Sequence, residues 1–199
     1  MTARAALATA ALIAAVAASL PSVAGDAARG RLLAEERGCN GCHGSEGRAA
    51  VPNTPTLSGQ PPDFHVLQMI LFRERLRNVP PMADLAQGKT DEEIEDLATY
   101  FAGLQPEPPE DRSAQDETRM ARGQALSQQL RCGICHLPDY RGREQIPRLA
   151  GQREDFLLRT MQEYRDNIRI GTDTSMNAVV YGVPDADLAA LAHYLAHVP

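Results

Sequence analysis

The 199-residue chain has no tryptophan, and its other aromatic residues are five tyrosines and four phenylalanines. That is thin material for cores built from side chains alone. Domains of about 80 residues are marginal by surface-to-volume scaling and usually need a staple, a metal or a cofactor. Beyond residue 20 no stretch is apolar enough to cross a bilayer, so the chain downstream is expected to be soluble. Nowhere does apolar and polar alternation run long enough to build a sheet. Cysteine is confined to four positions, which leaves no spare thiol for a separate purpose. A helical chain that draws part of its core from something other than side chains fits these shortages.

What is present begins with an export signal. Arg4 gives a positive start, residues 5–20 form an uncharged apolar run, and Ser22-Val23-Ala24 has the small-x-small pattern of a cleavage site. An uncleaved membrane anchor is the alternative. The run of 16 residues is short of the roughly 20 that a spanning helix needs. Cleavage is expected after Ala24, leaving residues 25–199 in the periplasm.

The cysteines fall as Cys39-Asn40-Gly41-Cys42-His43 and Cys132-Gly133-Ile134-Cys135-His136. C-x-x-C-H is the attachment signature of c-type haem. Two thiols three apart on one helical turn can add to the two vinyl groups of one porphyrin. The adjacent imidazole then reaches the iron as proximal ligand. A thioredoxin-type motif wants a strand before it, and neither pair follows a β-branched run. A zinc site would have to join cysteines about ninety residues apart. A disulfide within each pair would leave both histidines unexplained.

The chain is a duplication. Ala28-Arg29-Gly30 matches Ala121-Arg122-Gly123, and Pro55-Thr56-Leu57-Ser58-Gly59-Gln60 matches Pro147-Arg148-Leu149-Ala150-Gly151-Gln152. Asp63-Phe64 matches Asp155-Phe156, and Met82, Leu97-Ala98 and Tyr100 fall in register with Met176, Leu191-Ala192 and Tyr194. Helices are expected over 26–38, with Asp26 as N-cap, over 64–77 and over 156–169. The closing helix follows a capping box at Thr90-Asp91-Glu92-Glu93 and buries Ile94, Leu97, Ala98 and Phe101. Its counterpart buries Leu188, Leu191, Ala192 and Leu195, with Pro184 near the first turn. Three prolines and several acids make 106–117 a stiff, solvated linker between domains 25–105 and 118–199. The fold class is all-α, twice.

With one C-x-x-C-H and one P-x-L-x-G-Q in each half, the chain resembles the diheme cytochrome c4 family over essentially its whole mature length. That resemblance implies two class I cytochrome c folds, each wrapped around one covalent haem, carrying electrons in the periplasm. It implies redox proteins as partners, namely a membrane respiratory complex, an oxidase or a dehydrogenase, and no nucleic acid. Peripheral association with a membrane stays open. For the second shell it suggests that the Pro55 and Pro147 carbonyls orient His43 and His136.

The sixth iron ligand separates a carrier from a catalyst, because a six-coordinate iron has no place for a substrate. Met82 and Met176 lie 39 and 40 residues after His43 and His136, in loops before the closing helices. They are the expected distal ligands, with His43 and His136 proximal and Cys39, Cys42, Cys132 and Cys135 attached to the haems. Met69 and Met161 also correspond, but they fall inside helices among apolar neighbours, where Met more often fills core. Met120 has no partner in the first half. His65 aligns with Leu157, and His193 and His197 align with Thr99 and Gly103, so all three are expected to be exposed or lightly packed. Arg77 and Arg169 could pair with haem propionates, and Gln60 and Gln152 could simply shape a Gly-Gln turn.

The function read here is one-electron transfer from a respiratory complex or dehydrogenase to an oxidase or reductase. The competing class is a diheme enzyme, a peroxidase or a thiosulfate-oxidising cytochrome. A permanent electron-transfer subunit of a dehydrogenase is a further reading. A credible Met for each iron argues against the peroxidase, and the lack of a fifth cysteine against a Cys-ligated thiosulfate enzyme. Charge is uneven: 8 basic and 12 acidic residues in 25–105, 1 and 5 in the linker, 10 and 9 in 118–199.

Overall fold

The computed structural model describes residues 25–169 and 174–199. The export signal expected over 1–24 lies outside the described residues. Ten helices account for the regular structure among the described residues, and an isolated bridge between Arg143 and Ile146 is the sole strand-like pairing there. None of the described helices is long and apolar enough to cross a membrane.

The first half runs α1 (Ala27–Glu36), α2 (Asn40–His43), α3 (Pro62–Arg73), α4 (Met82–Ala86) and α5 (Asp91–Gly103). The second repeats it as α6 (Glu117–Gln129), α7 (Cys132–Cys135), α8 (Glu154–Arg165), α9 (Ser175–Val180) and α10 (Asp185–His197). Within each half the first helix and the middle helix both pack on the closing one: α1 and α3 on α5, α6 and α8 on α10. The short helices α4 and α9 lie on α3 and α8.

Local chemistry explains most of the boundaries. The Asp26 carboxylate accepts the Ala28 and Arg29 N–H groups and opens α1. Asp116 opens α6 the same way through Arg119 N–H. The Thr90–Glu93 capping box is formed, with both of its hydrogen bonds in place. Pro184 stands next to the first turn of α10, as its N-cap. The expected second helices start two residues earlier and stop four residues sooner than the sequence pattern suggests. Arg75 and Asn167, at φ 55° each, take the left-handed conformation just past the helix ends and turn the chain back.

The repeated Ala-Arg-Gly has a tertiary reason. A Cβ on Gly30 would stand 2.0 Å from the Asp96 carbonyl oxygen, and one on Gly123 would stand 2.2 Å from that of Ala190. The first and last helices of each half therefore cross backbone against backbone. The neighbouring arginines clamp the crossings. Arg29 makes two hydrogen bonds to the buried Asp96, at 2.8 and 3.1 Å, and Arg122 makes two to Asp187, at 2.8 and 2.7 Å.

Ile94 and Leu188 are fully buried, and Leu97, Ala98, Phe101, Leu191, Ala192 and Leu195 are nearly so, as the helical stripes require. The linker is less free than its composition implies. Arg153 binds Asp111 through two hydrogen bonds, Arg48 pairs with Glu107, and Arg112 donates to the Ala196 carbonyl.

The crossings predict that Gly30→Ala and Gly123→Ala each destabilise the holoprotein. Alanine improves helix propensity by roughly 1 kcal/mol, but overpacking a fixed backbone contact costs about 1–3 kcal/mol. The net cost of up to about 2 kcal/mol should lower the melting temperature by up to roughly 8 °C, read by circular dichroism. An unchanged or raised melting temperature would show that the helices part at no cost.

Candidate functional site

Each C-x-x-C-H motif forms a single helical turn following the first helix of its half. The N–H of His43 bonds to the Cys39 carbonyl and that of His136 to the Cys132 carbonyl, both at 3.0 Å. All four thiols are free, with Cys42 and Cys135 exposed and Cys39 and Cys132 half-buried. Both pairs therefore present two thiols from one turn, with the histidine directly behind them.

His43 and His136 are buried, and in each the Nδ1 atom lies 2.9 Å from a carbonyl oxygen, that of Pro55 or Pro147. A carbonyl only accepts, so Nδ1 carries the proton and Nε2 keeps its lone pair. Burial pushes both imidazoles below the usual histidine value, against the opposing pull of those carbonyls. The two rings are thus neutral, oriented by the proline carbonyls behind them, and ready to donate a lone pair from Nε2.

Met82 and Met176 occupy equivalent places, but in the first turns of α4 and α9 and not in loops. Both are half-buried. Met161 is buried in the core of the second half, and Met69 packs against Ala34, Leu97 and Phe101 in the first.

The histidines expected to be exposed are not. His65 is buried, with Nε2 3.0 Å from the Leu57 carbonyl, and burial pushes it down to about 4. His193 is fully buried and accepts the Asp116 N–H at Nε2, while its Nδ1 faces Glu154 at 3.0 Å. His197 lies between the His193 and Ser113 carbonyls, at 2.8 and 2.9 Å. Glu154, His193 and His197 bring three ligand atoms within 4.8 Å of one another, a set that could hold a metal. Their polar atoms are already engaged by Asp116, Ser113 and Arg119, so the cluster fastens the linker to α10. Solvent exposure was the wrong expectation because the linker covers this end of the helix.

Gln60 and Gln152 do more than shape a turn. The Gln152 amide accepts Thr56 N–H at 2.7 Å and donates to Thr56 O at 2.9 Å. Gln60 accepts Arg148 N–H at 2.9 Å and donates to Arg148 O at 2.8 Å. Thr56 and Arg148 are equivalent residues, so the two halves are latched by the same exchange in both directions. The repeated Gly-Gln was visible in the sequence, but its partners were not.

Arg77 and Arg169 lie past the ends of α3 and α8 and fold back over Phe72 and Tyr164, 4.6 and 4.9 Å from the ring centres. Both reach Gln68, at 2.6 and 3.5 Å. Burial pushes the Arg77 guanidinium down to about 9, with the nearby Arg169 adding to the effect. Its Nε has no hydrogen-bond partner. An anion at this place would relieve a buried, poorly compensated cation. Paired thiols, neutral imidazoles with Nε2 available, and a cationic seam together fit haem c in each half.

Two helical domains, each with this arrangement, define a protein of cytochrome c type. A family model described as Cytochrome c matches residues 27–105 and again 120–199. Cytochrome c4 of Thiocapsa roseopersicina is 32% identical over 168 residues, 79% of this chain and 85% of that one. The crystal structure of reduced recombinant cytochrome c4 from Pseudomonas stutzeri has a TM-score of 0.78 at 26% identity, covering 88% of this chain and 100% of the other. The thiosulfate dehydrogenase electron acceptor of Thiomonas intermedia is 28% identical over 174 residues, 83% of this chain and 80% of that protein. The chain belongs to the diheme cytochrome c4 family, electron-transfer proteins with two covalently bound haem c groups.

The Glu154 cluster predicts a pH dependence. Burial alone would push this carboxyl up, but hydrogen bonds from His193, Ser113 and Arg119 together hold it below the usual range. A carboxyl held low in the folded state adds stability that is complete above its unfolded value of about 4.3 and is lost as pH falls through the folded value. Glu154→Gln should therefore lower the melting temperature at neutral pH, and the deficit should shrink below about pH 4. Melting curves across that range test it; a deficit independent of pH would mean that the charge is immaterial.

Proposed function

We propose that this chain is a periplasmic one-electron shuttle and not an enzyme acting on a small substrate. The observation that carries the reading is the repetition of one arrangement: two thiols on a turn, an imidazole oriented by a proline carbonyl, and a half-buried methionine opening a short helix. In this reading Cys39, Cys42, Cys132 and Cys135 hold the haems, His43 and His136 are the proximal ligands, and Met82 and Met176 are the distal ones. Haem c supplies a reversible one-electron couple at its iron. The chain would hold it through the four cysteines, with His43 and His136 oriented by the proline carbonyls and Met82 and Met176 offering thioethers, a ligand type that favours the ferrous state. In the same reading Arg77 and Arg169 would pair with the propionates.

The domains are 25–105 and 118–199, joined by 106–117, after an export signal removed behind Ala24. The thiosulfate dehydrogenase electron acceptor among the relatives supports a dehydrogenase as donor, with an oxidase or reductase downstream. Steering by charge supports association with a basic partner, since the first domain and the linker are acidic while the second domain is nearly balanced.

Met82→Ala or Met176→Ala should each remove about half of the Met-to-iron charge-transfer absorption and lower one haem's potential. The opened iron should then bind cyanide. The same outcome from Met69→Ala or Met161→Ala would overturn the assignment, and ready peroxide turnover by the unaltered protein would favour an enzyme.

Electron exchange with a basic redox protein should slow as salt rises, because exposed charges more than about 10 Å apart are largely screened at 0.1 M. Glu92 pairs with Arg29, Glu93 serves the capping box, and Asp185 and Asp187 pair with arginines. The informative reversals are thus Glu36, Glu46 and Asp63, which are exposed. Changing them to Lys should flatten the salt dependence, and rates indifferent to salt would remove the steering argument.

A further inference from the structure

The latch between the halves meets the proximal histidines at a single peptide unit. Pro55 C=O accepts from His43 Nδ1–H, and the N–H of that same peptide, belonging to Thr56, donates to Gln152 Oε1. The mirror chain runs from His136 Nδ1–H to Pro147 C=O, and from Arg148 N–H to Gln60 Oε1. Every hydrogen bond has one possible sense. Thr56 N–H can meet only the amide oxygen, and Thr56 C=O only the NH2 group, so the amide orientation is settled by its partners. Thr56, Gln60 and Gln152 are each about 5% exposed or less, which keeps water from substituting for them.

We propose that each glutamine is a positioning residue for the haem of the opposite domain, Gln152 for the one ligated by His43 and Gln60 for the one ligated by His136. This rests on the proximal-ligand assignment above. The physical reason is cooperativity along a hydrogen-bond chain in a dry setting. When the peptide N–H donates, electron density on its carbonyl oxygen rises. The carbonyl then draws harder on the Nδ1 proton, and the imidazole becomes a more basic ligand. A more basic ligand stabilises ferric iron, so each glutamine lowers the potential of the haem across the seam.

The two arms are not equal. Gln152 Oε1 also accepts Arg153 N–H at 2.9 Å, so its acceptor is shared between two donors. Each glutamine is held from its own side: the N–H of Gly59 bonds to Phe101 O and that of Gly151 to Leu195 O, at the ends of α5 and α10. A change in how one closing helix sits is thereby delivered to the other domain's ligand.

The test uses the full holoprotein, with Gln152→Met and Gln60→Met, which keep length and remove hydrogen bonding. The two redox waves are first assigned with Met82→His and Met176→His, each of which should lower one wave. Failure of either to move a wave would refute the distal-ligand assignment on its own, whatever the glutamine variants do. Gln152→Met should raise the wave assigned to the first haem and Gln60→Met the other. The expected change is about three- to tenfold in the redox equilibrium constant, or roughly 30–60 mV at 59 mV per tenfold for one electron. The His43 Nδ1–H resonance of the reduced protein should move upfield in Gln152→Met and hold still in Gln60→Met.

Arg159→Met is the control for simple loosening, since it removes a bond across the seam, to Asn53 O at 2.8 Å, without touching either peptide. It should move neither wave. A shift confined to the variant's own domain, equal shifts of both waves, shifts reproduced by Arg159→Met, or no shift would each overturn the proposal.

Discussion

Two helices touching backbone to backbone govern each half of this protein. Glycine at 30 and 123 lets the opening helix rest directly on a carbonyl of the closing one, Asp96 or Ala190. A short turn with Gly38 or Arg131 at positive φ carries the opening helix into the cysteine turn, so the crossing sets where the thiols and the histidine stand. The closing helix has a second task. Its terminal carbonyls, Phe101 O and Leu195 O, take the N–H groups of Gly59 and Gly151. They thereby anchor the loop whose proline carbonyl orients the histidine. Thiols and second shell are thus braced by one element, which is why small cores with few aromatic residues can still present an ordered site.

The duplication has diverged where the chain had to be joined. The linker leaves the first closing helix and must pass the end of the second before α6 can start. His193, His197 and Glu154 receive it there through Asp116 and Ser113, while Arg153 grips Asp111. The first half has Thr99 and Gly103 at the histidine positions; there Gly25 lies against Thr99, and the Asp26 N–H goes to the Asp96 carboxylate and not to a histidine. A buried histidine with hydrogen bonds at both ring nitrogens serves this task well, since neither nitrogen is left stranded away from water.

The seam is built largely from neutral amides. A buried amide that meets both a donor and an acceptor has its desolvation offset by well-directed bonds, whereas buried ion pairs recover theirs only with excellent geometry. Charged groups cross it too, Arg159 to Asn53 O, Asp155 to Asn53 N–H and Arg153 to Ala49 O, while Arg77 and Arg169 are brought close with little negative charge around them.

Several features were legible in the sequence because they are local. The C-x-x-C-H motifs confine their chemistry to five residues. The capping box at Thr90 and the buried stripe from Ile94 to Phe101 repeat within a few turns. Aligning the two halves marked Gly30, Gly123, Gln60 and Gln152 as shared, though without saying why. The middle helices were drawn too long, because arginine and asparagine in a left-handed turn at 75 and 167 carry no sequence warning of the kind glycine does. The partners of Gln60 and Gln152 lie 88 and 96 residues away, and those of His193 and His197 sit on a linker that composition described only as stiff. The identity of the cofactor and the helical character of each half were decided by residue type and short spacing. The reciprocal latch, the buried histidines and the cationic seam were decided only when both halves had folded, since each joins groups that only the tertiary structure brings together.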